Sequence, residues 1–255
     1  MPWDFVLILF ALGVLLPWHG TIRLRRVLAT AELSSADRVA LYASTIAFQW
    51  AAAATVAWRA LARDLPPAKL GLAVPETAQV AFTSAVLTLV AVSVSIASLR
   101  RLARTRPEER GALGVIVEKL MPRTTLELAA FAALATTAGL CEEFLYRGFV
   151  YAVFAEFTGG SAPAAIAISA AFFALAHLYQ GARGLRTTFI VGIVFGAVRE
   201  WTGSLLPAMA AHFAVDLTTG IAAPILMARA GTRGEKVSGS STGNQSTGGA
   251  SNGLL

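Results

Sequence analysis

Of the 255 residues, 56% are hydrophobic and only 14% charged, with a mean hydropathy of +0.63; soluble domains usually carry about 25% charged residues, so an ordinary soluble fold is excluded. The net charge of +6 comes from basic residues at the ends of apolar runs. No basic stripe is interleaved with aromatics, which argues against nucleic acid and for loops facing an anionic leaflet. The single cysteine, Cys141, excludes an intrachain disulfide.

The apolar runs predict helices long enough to cross a bilayer. The opening stretch, "MPWDFVLILFALGVLLPWHG", lacks a basic leader and a small-residue cleavage site. It is expected to be a retained, short span over residues 3–18 with a tryptophan anchoring each end. Further spans are expected over residues 39–61 and 78–98. Residues 98–123 begin basic and turn amphipathic, as for a cytoplasmic loop carrying an interfacial helix. Residues 124–157 exceed one crossing and should tilt, kink or break. Spans over 162–179, 187–201 and 205–228 follow. The fold class is therefore all-α, a polytopic transmembrane bundle of seven or eight helices. Arginines in alternate loops place the N-terminus outside and the C-terminus inside, with Arg59, Arg63 and Lys69 running against the alternation. Residues 231–255 are Gly/Ser/Thr-rich and are expected to be a disordered tail.

Ionisable groups inside a bilayer are costly and normally face a cavity or a partner. Three groups of them lie in the second half of the chain. In "GLCEEFLYRG", Glu143 and Arg147 are four apart and can pair on one helix face. Glu142 is rotated about 100° away and left free to face a cavity. A structural ion pair accounts for Glu143 and Arg147 but not for Glu142. In "FFALAHLYQG", Phe173 and His177 share a face, which would set the imidazole against an apolar wall. In "AAHFAVDLTTG", His212 and Asp216 have the spacing of paired hydrogen-bonding groups or metal ligands. Taken singly, each histidine is as well explained by a structural hydrogen bond. The third histidine, His19, follows Trp18 at a helix end and reads as interfacial. Together the groups suffice for hydrolysis. Glu142 can act as general base towards a water held by His177, while His212 and Asp216 stabilise an oxyanion or bind a metal that does so.

The ordered set "EEFLYR", "FALAH" and "HFAVD" resembles the CAAX protease and bacteriocin-processing (Abi) family of intramembrane proteases, over roughly residues 124–228. The resemblance implies an intramembrane catalytic cavity, with water activated by Glu142 and His177. His212 and Asp216 would form the oxyanion half-site, with Glu143 and Arg147 supporting from behind. It divides the chain into N-terminal helices and loop (1–123), a catalytic core (124–230) and the tail. It also implies a membrane-associated peptide or protein substrate in contact with the bilayer. The cofactor is either none or a divalent metal such as zinc, held by Glu142, His177, His212 and Asp216. Asp216 departs from the Asn usual in the eukaryotic prenyl-protein endopeptidases: an ionised Asp cannot donate a hydrogen bond to an oxyanion. It would instead be protonated, orient His212 or bind a metal. The compact Ala/Arg-rich chain is expected in a bacterial cytoplasmic membrane. Competing readings are a catalytically silent adaptor of the same fold and a proton-coupled transporter, though the two halves show no repeat. A Cys141 thiol protease is disfavoured, because adjacent carboxylates and an apolar setting oppose the thiolate.

Overall fold

The structure, a computed structural model, describes residues 1–30 and 32–242. Among these residues every regular element is a helix, and one isolated antiparallel bridge joins Leu72 and Ser204. The helices are α1 (Trp3–Phe10), α2 (Leu16–Ala29), α3 (Ser35–Leu61), α4 (Thr77–Arg104), α5 (Gly111–Leu120), α6 (Thr125–Glu143), α7 (Tyr151–Phe157), α8 (Ala162–Ala176), α9 (Gly181–Thr202) and α10 (Leu206–Thr242). Six stretches are long and apolar enough to cross a membrane: Trp3–Val27, Ser35–Leu61, Thr77–Arg104, Thr125–Phe157, Leu178–Thr202 and Leu206–Arg229. The apolar helix Ala162–Ala176 falls short of that length, so the predicted count of seven or eight is matched roughly.

Several boundaries differ from those expected. The first span does not stop at Trp18. Pro17 would clash with the preceding turn of a regular helix and removes a donor. A π-helical segment, Ala11–Leu15, widens the backbone just ahead of it, and the helix runs on to Ala29. Residues 162–179 are likewise not one span. Helix α8 ends at Ala176, His177 caps it, a 3₁₀ turn covers Leu178–Gln180, and Gly181 at φ +75° starts α9. The left-handed region is open to glycine at no steric cost, so the break falls there. Helix α10 continues through residues 231–242 of the segment expected to be a tail; residues 243–255 lie outside the described residues.

The long helix of residues 124–157 is continuous. Thr124 caps α6 by accepting from the Glu127 amide at 3.2 Å, and a π-helical segment, Phe144–Val150, joins α6 to α7. All seven residues of that segment are buried, and five of them, Phe144, Leu145, Tyr146, Phe149 and Val150, join the main core with Phe5, Leu9, Val56, Ala60 and Leu205. A π turn leaves a backbone carbonyl short of its usual partner; here Ser169 Oγ donates to the Tyr146 carbonyl at 2.7 Å.

Helix α3 is registered against α6 by three cross-links. Arg38 pairs with Glu127 at 2.8 Å, Tyr42 stacks edge-on against Phe131, and Trp50 Nε1 donates to Thr137 at 3.2 Å. Helix α10 reaches α6 over Gly139, where a Cβ would lie 3.0 Å from the Met209 carbonyl and 3.1 Å from the Phe213 amide. That close approach depends on the missing side chain. The basic residues that ran against the charge alternation are paired: Asp4 holds Arg59 at 2.5 Å and Arg63 at 3.1 Å, and Lys69 lies 3.8 Å from Glu156.

Candidate active site

The α6–α10 approach and the end of α8 bring four predicted residues to one place. Glu142, at the end of α6, directs Oε2 towards both imidazoles: His177 Nε2 is 3.9 Å away and His212 Nε2 is 4.0 Å away. That oxygen is shielded and has no hydrogen-bond partner. Asp216 Oδ2 lies 3.6 Å from His212 Nε2, too far for a hydrogen bond of good geometry. Glu142, His177, His212 and Asp216 all line one cavity of about 700 Å³.

Each imidazole is held by its other nitrogen. His177 Nδ1 is 2.9 Å from the Phe173 carbonyl. A carbonyl only accepts, so Nδ1 carries a proton, and Nε2 is the nitrogen that faces Glu142. His212 Nδ1 is 2.7 Å from Glu143 Oε1 and donates to it for the same reason. His212 is thus oriented by Glu143, on another helix, and not by Asp216 four residues along its own.

Glu143 also accepts from Arg147 Nη1 at 3.0 Å, both side chains being fully buried, which is the predicted pair on one helix face. The Arg147 guanidinium lies 3.8 Å from the centroid of the Phe173 ring. That ring in turn meets His177 at 4.6 Å and His212 at 6.0 Å between centroids. Phe173 therefore meets Arg147 and both imidazoles. Cys141 is buried in the core cluster beside Phe144 and Leu145 and lines neither of the cavities around Glu142.

Residues 124–218 match the family model described as type II CAAX prenyl endopeptidase Rce1-like. Over these residues the chain is similar to that family. The match begins at the Thr124 cap and ends just past Asp216, so it takes in all three motifs. It supports a CAAX-type intramembrane protease in general terms, and with the helices it fits an integral membrane protein. No curated protein and no solved structure gives a match.

The matched segment does not contain every residue in contact with Glu142. Gln49, on α3, donates from Nε2 to Glu142 Oε1 at 2.6 Å. It was not singled out from the sequence, although a lone amide within the apolar run "IAFQWAAAA" is the kind of polar residue that marks a cavity. A second cavity of about 390 Å³ runs along α2 and α3 and shares Glu142, His177, Gln49 and Tyr179 with the larger one. His19, read as interfacial, lines that second cavity.

The donor types Glu, His, His and Asp suit zinc, but their placement does not. Ligands about 2.0–2.1 Å from a tetrahedral zinc lie roughly 3.4 Å apart. The Glu142–imidazole separations of 3.9 and 4.0 Å are wider. Among the described residues no group of three or more His, Cys, Asp or Glu is placed to hold a metal ion.

Proposed function

We propose that the protein is an intramembrane endopeptidase that hydrolyses a peptide bond in a membrane-associated protein or peptide, using water activated by Glu142. The observation that carries this is the unpartnered Glu142 Oε2 facing two imidazole Nε2 atoms at 3.9 and 4.0 Å. A water at about 2.8 Å reaches a carboxylate and an imidazole so spaced. Within the Rce1-like family the same motif residues imply the same roles.

In this scheme the water gives one hydrogen bond to His177 Nε2 and the other to Glu142 Oε2. As its oxygen attacks the carbonyl carbon, Glu142 takes the proton. His212, protonated on both nitrogens with the carboxylates of Glu143 and Asp216 offsetting its charge, donates from Nε2 to the oxyanion. Asp216 therefore balances charge and does not itself donate. The carbon–nitrogen bond then breaks, Glu142 returns its proton to the leaving nitrogen, and a carboxylic acid and an amine result. The smaller cavity, with Leu16, Leu24, Leu41 and Phe48 among its walls, provides room for an apolar part of the substrate.

The test is cleavage of a fluorogenic peptide library by purified protein in detergent, wild type beside Glu142→Gln, with and without a chelator. A loss of about a hundredfold or more in the variant, with no effect of the chelator, is expected. Chelator inhibition reversed by zinc would replace the glutamate mechanism with a metal-dependent one. Equal turnover by the variant would sink Glu142 as the base, and no cleavage by wild type would favour an adaptor of the same fold.

A further inference from the structure

Gln49 carries more than one contact. Its amide could in principle face Glu142 either way round, but a carboxylate oxygen only accepts, so at 2.6 Å the NH₂ group must be the one that meets it. The amide oxygen is thereby turned away from Glu142. That oxygen, Gln49 Oε1, is buried and has no hydrogen-bond partner, which is unfavourable unless something donates to it in the working state. Gln49 lines both cavities, together with Glu142 and His177. Its position is fixed by the Trp50–Thr137 bond next to it and the Arg38–Glu127 and Tyr42–Phe131 contacts further along α3.

We propose that Gln49 is a positioning residue for both reaction partners: its Nε2 fixes Glu142 through Oε1, leaving Oε2 as the base, and its Oε1 accepts a backbone N–H of the bound peptide beside the scissile bond. The inference rests on the protease reading. It adds a residue from outside the Rce1-like segment and a rule of specificity. A peptide bond to proline or an N-methylated residue at the position read by Gln49 has no N–H to offer, so such a peptide is a poor substrate. The two halves of the amide do separate jobs, so separate substitutions divide them. Gln49→Leu removes donor and acceptor, whereas Gln49→Glu keeps acceptor oxygens and loses the donor.

The experiment uses the full-length protein and one peptide from the library that wild type cleaves. Ester analogues of that peptide each replace one backbone N–H flanking the scissile bond, leaving the scissile amide itself intact. In wild type, one ester is expected to lower kcat/KM about tenfold, the loss of a single hydrogen bond. Gln49→Leu should cleave the parent peptide about ten- to a hundredfold more slowly and show no further loss with that ester. Gln49→Glu should lose kcat on the parent yet remain sensitive to the ester. Equal ester penalties in wild type and Gln49→Leu would overturn the substrate contact. Full activity of Gln49→Leu on the parent would overturn the clamp on Glu142. If Gln49→Leu does not fold, as judged by tryptophan fluorescence on heating, the ester response of Gln49→Glu decides. Glu142→Gln beside these variants separates the two proposals. Its full activity would remove the glutamate mechanism and the clamp together, while the ester comparison still reads the substrate contact. A wild type that cleaves no peptide would overturn the substrate contact along with the protease reading.

Discussion

Helix α6 carries a buried glutamate at each end, and the two are treated in opposite ways. Glu127, in the first turn, is closed. Arg38 grips it with two bonds of 2.8 and 3.0 Å, and the Arg123 amide donates to it at 2.8 Å. Glu143, the last residue, is open. Arg147 makes one bond to it and His212 another, while Glu143 Oε2 and Arg147 Nε and Nη2 have none. Arg147 rests instead on the face of Phe173. A pair that fills every site can only hold helices together. One with spare capacity can also hold an imidazole, and His212 is the imidazole it holds.

The largest effects should come from removing either arginine. Truncating one partner of a buried pair leaves the other charge uncompensated and costs about 3–5 kcal/mol. For a domain of this size, that is on the order of 10 °C in melting temperature. Arg38→Ala should pay this in stability alone, with kcat per folded molecule unchanged. Arg147→Ala should also lose mainly stability, through Glu143. Melting in detergent followed by tryptophan fluorescence, with cleavage rates normalised to folded protein, distinguishes the two. A stable but inactive Arg147→Ala would break the comparison, because it would place Arg147 among the groups that touch the reacting atoms.

The open pair was readable from the sequence and the closed one was not. Glu143 with Arg147 and Phe173 with His177 are four residues apart on one helix, and local periodicity sets such contacts. Arg38 with Glu127 and Gln49 with Glu142 depend on how two distant helices are registered, and periodicity does not carry that. His212 and Asp216 show the limit of the local rule. Their spacing suggested a pair, but the Glu143 carboxylate reaches His212 first across the Gly139 contact. The place of His177 at a helix end was hidden for a different reason. "HLYQG" continues the apolar pattern past the true helix end, and only Gly181 marks the break. Helix α8 ends at Ala176 and delivers His177 as its cap, 3.9 Å from Glu142.

A smaller effect is expected from Phe173→Leu, which tests what makes the open pair open. The ring lies on Arg147 and edges both imidazoles. Losing the cation–π and aromatic contacts should cost about 1–2 kcal/mol of stability. It should also loosen His177 and His212, lowering kcat about tenfold while KM stays near its wild-type value. Unchanged kcat would reduce the ring to packing.

The smallest effect is expected from replacing the closed pair as a unit, and it is the sharpest test of the difference. Arg38 and Glu127 satisfy each other, so removing both charges strands few groups: the Arg123 amide and the Ser35 hydroxyl that bond Glu127, and the Leu33 carbonyl that Arg38 also bonds. Desolvating two charges costs nearly what their attraction returns, so well-packed apolar substitutes are often neutral or better. Arg38→Met with Glu127→Leu should therefore melt within about 1 kcal/mol of wild type and cleave at the wild-type rate, although Arg38→Ala alone does not. The same exchange at Glu143 and Arg147 has no such outcome open to it, because there the carboxylate is also the partner of His212. A double variant at Arg38 and Glu127 that melted as low as Arg38→Ala would mean that the ion pair sets the register of α3 on α6. In that case Gln49 would shift from Glu142, and cleavage would fall with stability.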